Sequence, residues 1–122
     1  MEKPEQVEYG AVRIAEEVVA IIAGLTATEI KGVSAMSGGI AGGIAERLGR
    51  RNLTKGVKVK VGEKEAVLDL SIIVEYGERI PEVALKVQEE AKKAVEGMTG
   101  LTVTEVNVHV QGVNLHLPEG KE

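Results

Sequence analysis

The sequence predicts an α+β two-layer sandwich, in which two helices pack on one face of a roughly four-stranded mixed sheet. Residues 11–25 and 80–97 repeat apolar residues at helical spacing. Residues 56–76 and 106–117 instead alternate apolar and polar residues, as strands do. The chain has 122 residues, of which 43% are hydrophobic and 28% are charged. This size and composition predict a single globular domain over residues 1–122.

The first helix is predicted over residues 11–25, directly after Gly10. Arg13, Glu16 and Glu17 mark its solvent side. The apolar stripe on the other side consists of Ile14, Val18, Ile21, Ile22 and Leu25.

A short strand is expected next, over residues 29–36, with a bulge or a bend at Gly32. The following segment, residues 37–54, is rich in glycine and basic residues. Because glycine loses much conformational entropy on ordering, this segment is predicted to be a flexible loop that opens into a short helix near residues 43–48.

The clearest signal is a β-hairpin over residues 56–76. Val57, Val59 and Val61 alternate with lysines, and residues 62–65 form the turn. One face of the second strand holds Leu68, Leu70, Ile72, Val74 and Tyr76. Its other face is mixed and includes Val67 and Ile73, so we expect that face to be only partly covered.

A second helix is predicted over residues 80–97, because Pro81 suits the first turn. Its apolar stripe consists of Ile80, Ala84, Val87, Ala91, Ala94, Val95 and Met98. The last strand changes parity at Gly112, which indicates a bulge. Since it follows a helical crossover, it can lie parallel to the strand over residues 66–76. Residues 118–122 form a polar tail.

Composition excludes several function classes. The chain has no Cys, which excludes disulfides, thiolate metal sites and Cys nucleophiles, and its two His cannot form a three-His zinc site. Tyr9 and Tyr76 are the only aromatic residues, which argues against a base-stacking nucleic-acid platform. No signal peptide or bilayer-spanning run is visible, so a cytoplasmic location without direct membrane insertion is expected.

No catalytic constellation is recognised, so the chain is not expected to be an enzyme or to carry a cofactor or metal. Paired carboxylates fall on predicted solvent faces, and Asp69 lies mid-strand on the mixed face without a His at fixed spacing. His109 and His116 with Glu105 form the one metal-ligand alternative, but exposed structural histidines are the favoured interpretation because Gly112 breaks the parity between them.

Residues 46–60 form a basic island, with six basic residues and one acidic residue in a chain of net charge -4. The island follows a G-x-x-G run, whose backbone N–H groups can bind phosphate at a helix start. Candidate anion or nucleic-acid contacts are Gly39, Gly42, Gly43, Arg47, Arg50, Arg51 and Lys55. The alternatives are a mobile loop, or a small-residue surface that another chain approaches, and these are favoured over phosphate binding.

Five blocks of sequence together carry a family resemblance. They are Gly10–Val19, Lys31–Met36, the Gly-rich run with Lys55–Val59, Asp69–Gly77 with Ile80 and Pro81, and Val106–Val113. In this order they resemble the alkaline shock protein 23 / Gls24-like envelope stress response family of Gram-positive bacteria. The resemblance implies a small cytoplasmic α/β protein without known catalytic residues. It also implies a role in alkaline and envelope stress, with some members held at the inner membrane face by a membrane-anchored relative.

Two functions follow as hypotheses. The first is a non-enzymatic, self-associating scaffold or adaptor at the inner face of the membrane, with a homo-oligomer and a membrane-anchored family member as partners. Its candidate self-association residues are Val67, Ile73, Val113, Leu115 and Leu117. The alternative is an RNA- or phosphate-binding module that uses residues 38–60, although nucleic acid is not the expected partner of an acidic chain.

Overall fold

Two helices cover one face of a mixed sheet in the computed structural model, which describes residues 9–38 and 54–115. The elements in chain order are α1 (Glu16–Thr28), β1 (Val33–Met36), β2 (Val57–Val61), β3 (Glu65–Glu75), α2 (Ile80–Thr99) and β4 (Thr102–Asn114). This order confirms the predicted fold class and the predicted succession of helices and strands.

Strand β3 is the centre of the sheet and pairs along both of its edges. On one edge β2 runs antiparallel to residues 66–70 and β1 runs antiparallel to residues 72–74, so these two short strands follow each other end to end. On the other edge β4 runs parallel to the whole of β3. The parallel pairing predicted from the helical crossover is therefore confirmed.

The core lies between β3 and the two helices. Leu68, Leu70, Ile72 and Val74 alternate along β3 and are almost completely buried. The helices contribute mostly small or β-branched side chains, namely Val19, Ala23, Ala27, Val83, Val87, Ala91 and Val95. The face predicted for the core side of the hairpin is thus correct, except that Tyr76 lies beyond the end of β3 and is 71% exposed.

The predicted stripe of α1 is wrong by about one residue of rotation. Val18 and Leu25 are 45% and 46% exposed, whereas Val19, Ile22 and Ala23 are buried. The helix also begins at Glu16 rather than near residue 11. The reason is that α1 is apolar on nearly every side, so periodicity alone does not identify the face on which small residues allow close packing.

The predicted stripe of α2 is correct at Val87, Ala91 and Val95, but it omits Val83 and wrongly includes Ile80 and Met98. Val83, Val87, Ala91 and Val95 are buried, while Met98 is 74% exposed. The helix begins at Ile80 with Pro81 in its first turn, as predicted, and ends at Gly100 in the left-handed conformation (φ 80°).

Two of the three register shifts in the sheet lie beside the glycines that predicted them, and the third, between Val103 and Glu105 of β4, has no glycine next to it. β1 is shorter than the predicted strand and has a register shift between Val33 and Ala35, next to Gly32. The register of β4 shifts at Gly112. The predicted flexible loop and polar tail lie almost entirely outside the described residues.

Candidate interaction surface

The sheet face opposite the helices is not covered by any element among the described residues. Strand alternation turns Val67, Asp69, Ser71 and Ile73 toward this outer face, and all four side chains are partly buried. The two predicted self-association residues on β3, Val67 and Ile73, therefore lie on the face for which they were predicted.

A polar band crosses the outer face. The Asp69 Oδ1 atom lies 3.2 Å from His109 Nε2 on the neighbouring parallel strand, and both side chains are substantially exposed, 39% and 50% respectively. Lys58 of β2 lies opposite Asp69 on the other side. Asn107 donates a 3.1 Å hydrogen bond to Glu105. The band connects three strands and separates Val67 from Ile73.

The contact between Asp69 and His109 was missed by sequence reasoning. The sequence did indicate that a strand parallel to β3 would place its polar residues on the same face as Asp69. Identifying His109 as the partner also requires the register between the two strands, which sequence spacing does not supply. The pair has too few ligands for a metal site, and the described residues contain no group of three or more His, Cys, Asp or Glu that can hold an ion.

The free edge of β4 begins with a segment whose backbone is bonded by side chains of α2. We call this the capped segment, residues 103–106. Glu96 accepts the Val103 N–H at 2.8 Å, Lys92 donates to the Val103 carbonyl at 2.8 Å, and Gln88 donates to the Val106 carbonyl at 2.9 Å. These bonds occupy the groups that an added strand would use.

The ion pair between Lys92 and Glu96 in this cap lowers the pKa of Glu96. The hydrogen bond from Lys92, followed by that from the Val103 backbone N–H, holds the pKa of Glu96 below its ordinary value of 4.5. The Lys92 Nζ to Glu96 Oε2 distance is 2.9 Å. The carboxylate therefore stays ionised and keeps its bond to the strand edge across the neutral range.

Beyond the cap, the second half of β4 carries exposed apolar side chains. Val113 is 44% exposed and Leu115 is 52% exposed. The Tyr76 N–H donates to the Asn114 carbonyl, which brings the exposed Tyr76 beside the end of β4. Of the predicted self-association residues in this region, Leu117 lies outside the described residues.

The candidate anion site is described only at one end. Lys55 is exposed in the turn that precedes β2, and Lys58 and Lys60 are exposed on β2. The predicted glycine and arginine contacts, Gly39, Gly42, Gly43, Arg47, Arg50 and Arg51, lie outside the described residues, as does His116. The structure thus leaves the phosphate-binding alternative as a prediction.

One groove on the described part of the chain is lined by charges of both signs. The groove between α1 and β2 has a volume of about 750 Å³ and is lined by carboxylates of Glu16 and Glu17 and by Lys58 and Lys60. Thr54 and Asp69 also line it. No helix in the described ranges 9–38 and 54–115 is long and apolar enough to cross a bilayer.

A solved structure with a similar arrangement is that of a MamM CTD variant. It superposes with a TM-score of 0.50 over 80% of this chain and 98% of that one, at 14% sequence identity. A copper form of the same CTD gives the same TM-score at 13% identity, over 80% of this chain and 98% of that one. At such low identity the likeness concerns the fold alone.

Sequence relatives are much closer. The chain is 40% identical over 109 residues to the uncharacterized protein YqhY of Bacillus subtilis. The aligned region covers 89% of this chain and 81% of YqhY. It is 38% identical over 113 residues to YloU of the same organism, covering 91% and 94% of the two chains. It is 31% identical over 96 residues to a Streptococcus pyogenes stress response regulator gls24 homolog, covering 78% of this chain and 54% of that protein.

A family model matches nearly the whole described fold. It spans residues 4–115, and its description is a cell envelope-related function. This match and the relatives confirm the resemblance that the five sequence blocks indicated. The chain belongs to the alkaline shock protein 23 family.

Proposed function

We propose that this protein is a non-enzymatic adaptor of the envelope stress response, which self-associates and is held at the inner face of the membrane by a membrane-anchored partner. The coarse part of this role, a link to the cell envelope and to stress, is carried by the family and by the gls24 relatives. Self-association, the non-enzymatic character and the membrane partner are the proposal.

The observation that carries the proposal is the uncovered sheet. Both helices pack on one face, so Val67 and Ile73 on the opposite face are only partly buried, and the end of β4 exposes Val113 and Leu115. Apolar surface that a monomer leaves in water is typical of an association site. A second copy is always present at matching concentration, and this favours a homo-oligomer.

The direct test is solution mass as a function of protein concentration, with and without a structured RNA. The proposal expects the mass to increase with concentration in the absence of RNA. A chain that stays monomeric to high micromolar concentration contradicts self-association. A salt-dependent complex formed only with RNA instead supports the alternative, in which exposed Lys55, Lys58 and Lys60 continue the basic segment as a phosphate-binding surface.

The membrane part needs a separate experiment in cells. A fluorescent fusion of the chain is expected at the cell periphery, and detergent extraction of the membrane fraction is expected to release it in complex with an integral membrane protein. Uniform fluorescence throughout the cell, with no membrane protein recovered, contradicts this part while leaving self-association standing.

A further inference from the structure

The backbone groups of β4 divide into two sets, and their directions follow from alternation. Thr102 N–H bonds inward to the Lys64 carbonyl, and the Asn114 carbonyl accepts from Tyr76, so these residues face β3. Val103 and Val106 face the free edge, where α2 binds them, because the register shift between Val103 and Glu105 changes the parity between these two residues. In a parallel ladder, alternate residues turn both N–H and C=O to the same side. From Val106 up to the next register shift, at Gly112, Val108 and Val110 therefore also face the free edge.

The caps from α2 end before these two valines. Among residues 9–38 and 54–115, no side chain bonds the outward N–H or C=O of Val108 or Val110. We call residues 107–113 the open segment. Within the described part of the chain, the edge at Val108 and Val110 presents backbone groups without a side-chain cap, which is the feature that edge strands normally conceal.

The edge of β4 changes from capped to open where the α2 residue that faces it is Leu85 instead of a polar residue. Glu96, Lys92 and Gln88 recur at helical spacing on the side of α2 that meets β4, and the next position on that side is Leu85. Since α2 runs antiparallel to β4, Leu85 lies alongside the open segment. It cannot donate a hydrogen bond to the edge, and it is 52% exposed.

The open segment also lacks the charges that keep edges apart. Residues 106–115 contain no Lys, Arg, Asp or Glu, in a chain of net charge -4. Natural edges are usually protected by charged residues, Lys above all, or by Pro. For two acidic copies, an uncharged edge is the place where close approach costs the least electrostatic repulsion.

We infer that the open segment, residues 107–113 of β4, pairs antiparallel with the same segment of a second copy across a two-fold axis, joining two sheets into one. This inference rests on the proposed self-association and names its site. With the axis near His109, Val108 of one copy lies opposite Val110 of the second copy, so the outward groups of both meet. Such an isologous contact closes as a dimer, and the two exposed Leu85 side chains flank the new strand pair.

The first test compares two substitutions on α2 that introduce the same charge. Leu85→Lys places an ammonium group beside the open segment, while Met98→Lys places it at a more exposed position elsewhere on the helix. We expect Leu85→Lys to raise the dimer dissociation constant about tenfold or more, and Met98→Lys to leave it unchanged. Sedimentation velocity over a concentration series measures the constant, and thermal unfolding confirms that both variants fold.

The second test detects the strand pair itself. Because the chain has no Cys, His109→Cys and Thr102→Cys each give a single thiol. A short bismaleimide is expected to link two His109→Cys copies rapidly. It is not expected to link Thr102→Cys copies, whose thiols lie roughly 45 Å apart in this arrangement at about 3.3 Å per residue.

The outcomes separate the two levels of the proposal. Self-association that is insensitive to Leu85→Lys and gives no cross-link at position 109 overturns the edge pairing and leaves the proposed function standing. A monomer at every concentration overturns both. The chain could instead stay monomeric while its open segment binds an extended segment of a different protein. That result also overturns pairing with a second copy.

Discussion

At the scale of single residues, Gly56 shows how neighbouring backbone atoms can restrict a position to glycine. Its φ is +80°, and a Cβ there would lie 2.7 Å from the Ser37 carbonyl oxygen and 3.0 Å from that of Ser71. Its own carbonyl accepts the Ser71 N–H at 2.8 Å, so the chain cannot move away without losing a ladder bond. The glycine that starts the hairpin therefore also allows the backbone to pass close to the end of β1.

We expect Gly56→Ala to lower the free energy of unfolding by about 1–3 kcal/mol, because strain from the positive φ and the backbone contact act together. Gly62→Ala is the matched control, since its nearest atom is the Glu65 carbonyl oxygen at 3.8 Å and its φ is ordinary. Urea unfolding of the two variants measures the difference. Equal losses in both would show that the contact around Gly56 is not the cause.

Glu96 gives a prediction for pH dependence. Its pKa in the folded chain is held below 4.5 by Lys92 and the Val103 N–H. A depressed carboxylate pKa contributes stability that is fully present above the unfolded pKa and is lost as pH falls through the lower folded pKa. We expect the stability difference between the wild type and Glu96→Gln to be constant from neutral pH down to about 4.5 and to shrink below it. A difference that grows on acidification contradicts this sign.

At the scale of elements, β3 carries the core of the fold. Leu70 and Ile72 are both 0% exposed and lie mid-strand under the helices. We expect Leu70→Ala and Ile72→Ala each to cost about 2–5 kcal/mol, and Ser71→Ala on the outer face to stay within about 0.5 kcal/mol. Denaturant unfolding checks all three. A loss below about 1 kcal/mol at both core positions would mean that the helices leave this face accessible.

The buried face of the hairpin strands was predicted more accurately than that of the helices, for a physical reason. A strand with one buried face has a period of two, so the pattern from Val57 to Val74 identifies both the strands and the core face. Helix α1 is apolar on nearly every side, and small residues such as Ala23 decide which side packs closely. Its buried face therefore depends on the shape of its neighbours.

Only part of the candidate interaction surface could be predicted from the sequence. The outer-face positions of Val67 and Ile73 follow from parity alone. The contact of Asp69 with His109, and the capping of the β4 edge by Glu96 and its neighbours on α2, depend on the register between elements far apart in sequence. Sequence patterns therefore located the sheet but not the boundary between capped and open edge.

At the scale of the whole molecule, the two apolar surfaces make different predictions. Pairing through the open segment leaves the outer face outside the contact. We expect the double substitution Val67→Lys with Ile73→Lys to keep the dimer dissociation constant within about threefold of the wild type, because neither side chain lies on the strand edge. Sedimentation velocity makes the comparison. If this variant becomes monomeric while remaining folded, the copies pack face to face.

The central claim, that copies join through the open segment of β4, is tested most directly by residue-resolved amide hydrogen exchange at low and high protein concentration. The Val108 and Val110 amides face the free edge, whereas those of Asn107 and His109 face β3 and act as internal controls. The account predicts that exchange at Val108 and Val110 slows markedly as concentration rises, while the controls change little. Exchange at Val108 and Val110 that remains equally fast when the mass has doubled would contradict it.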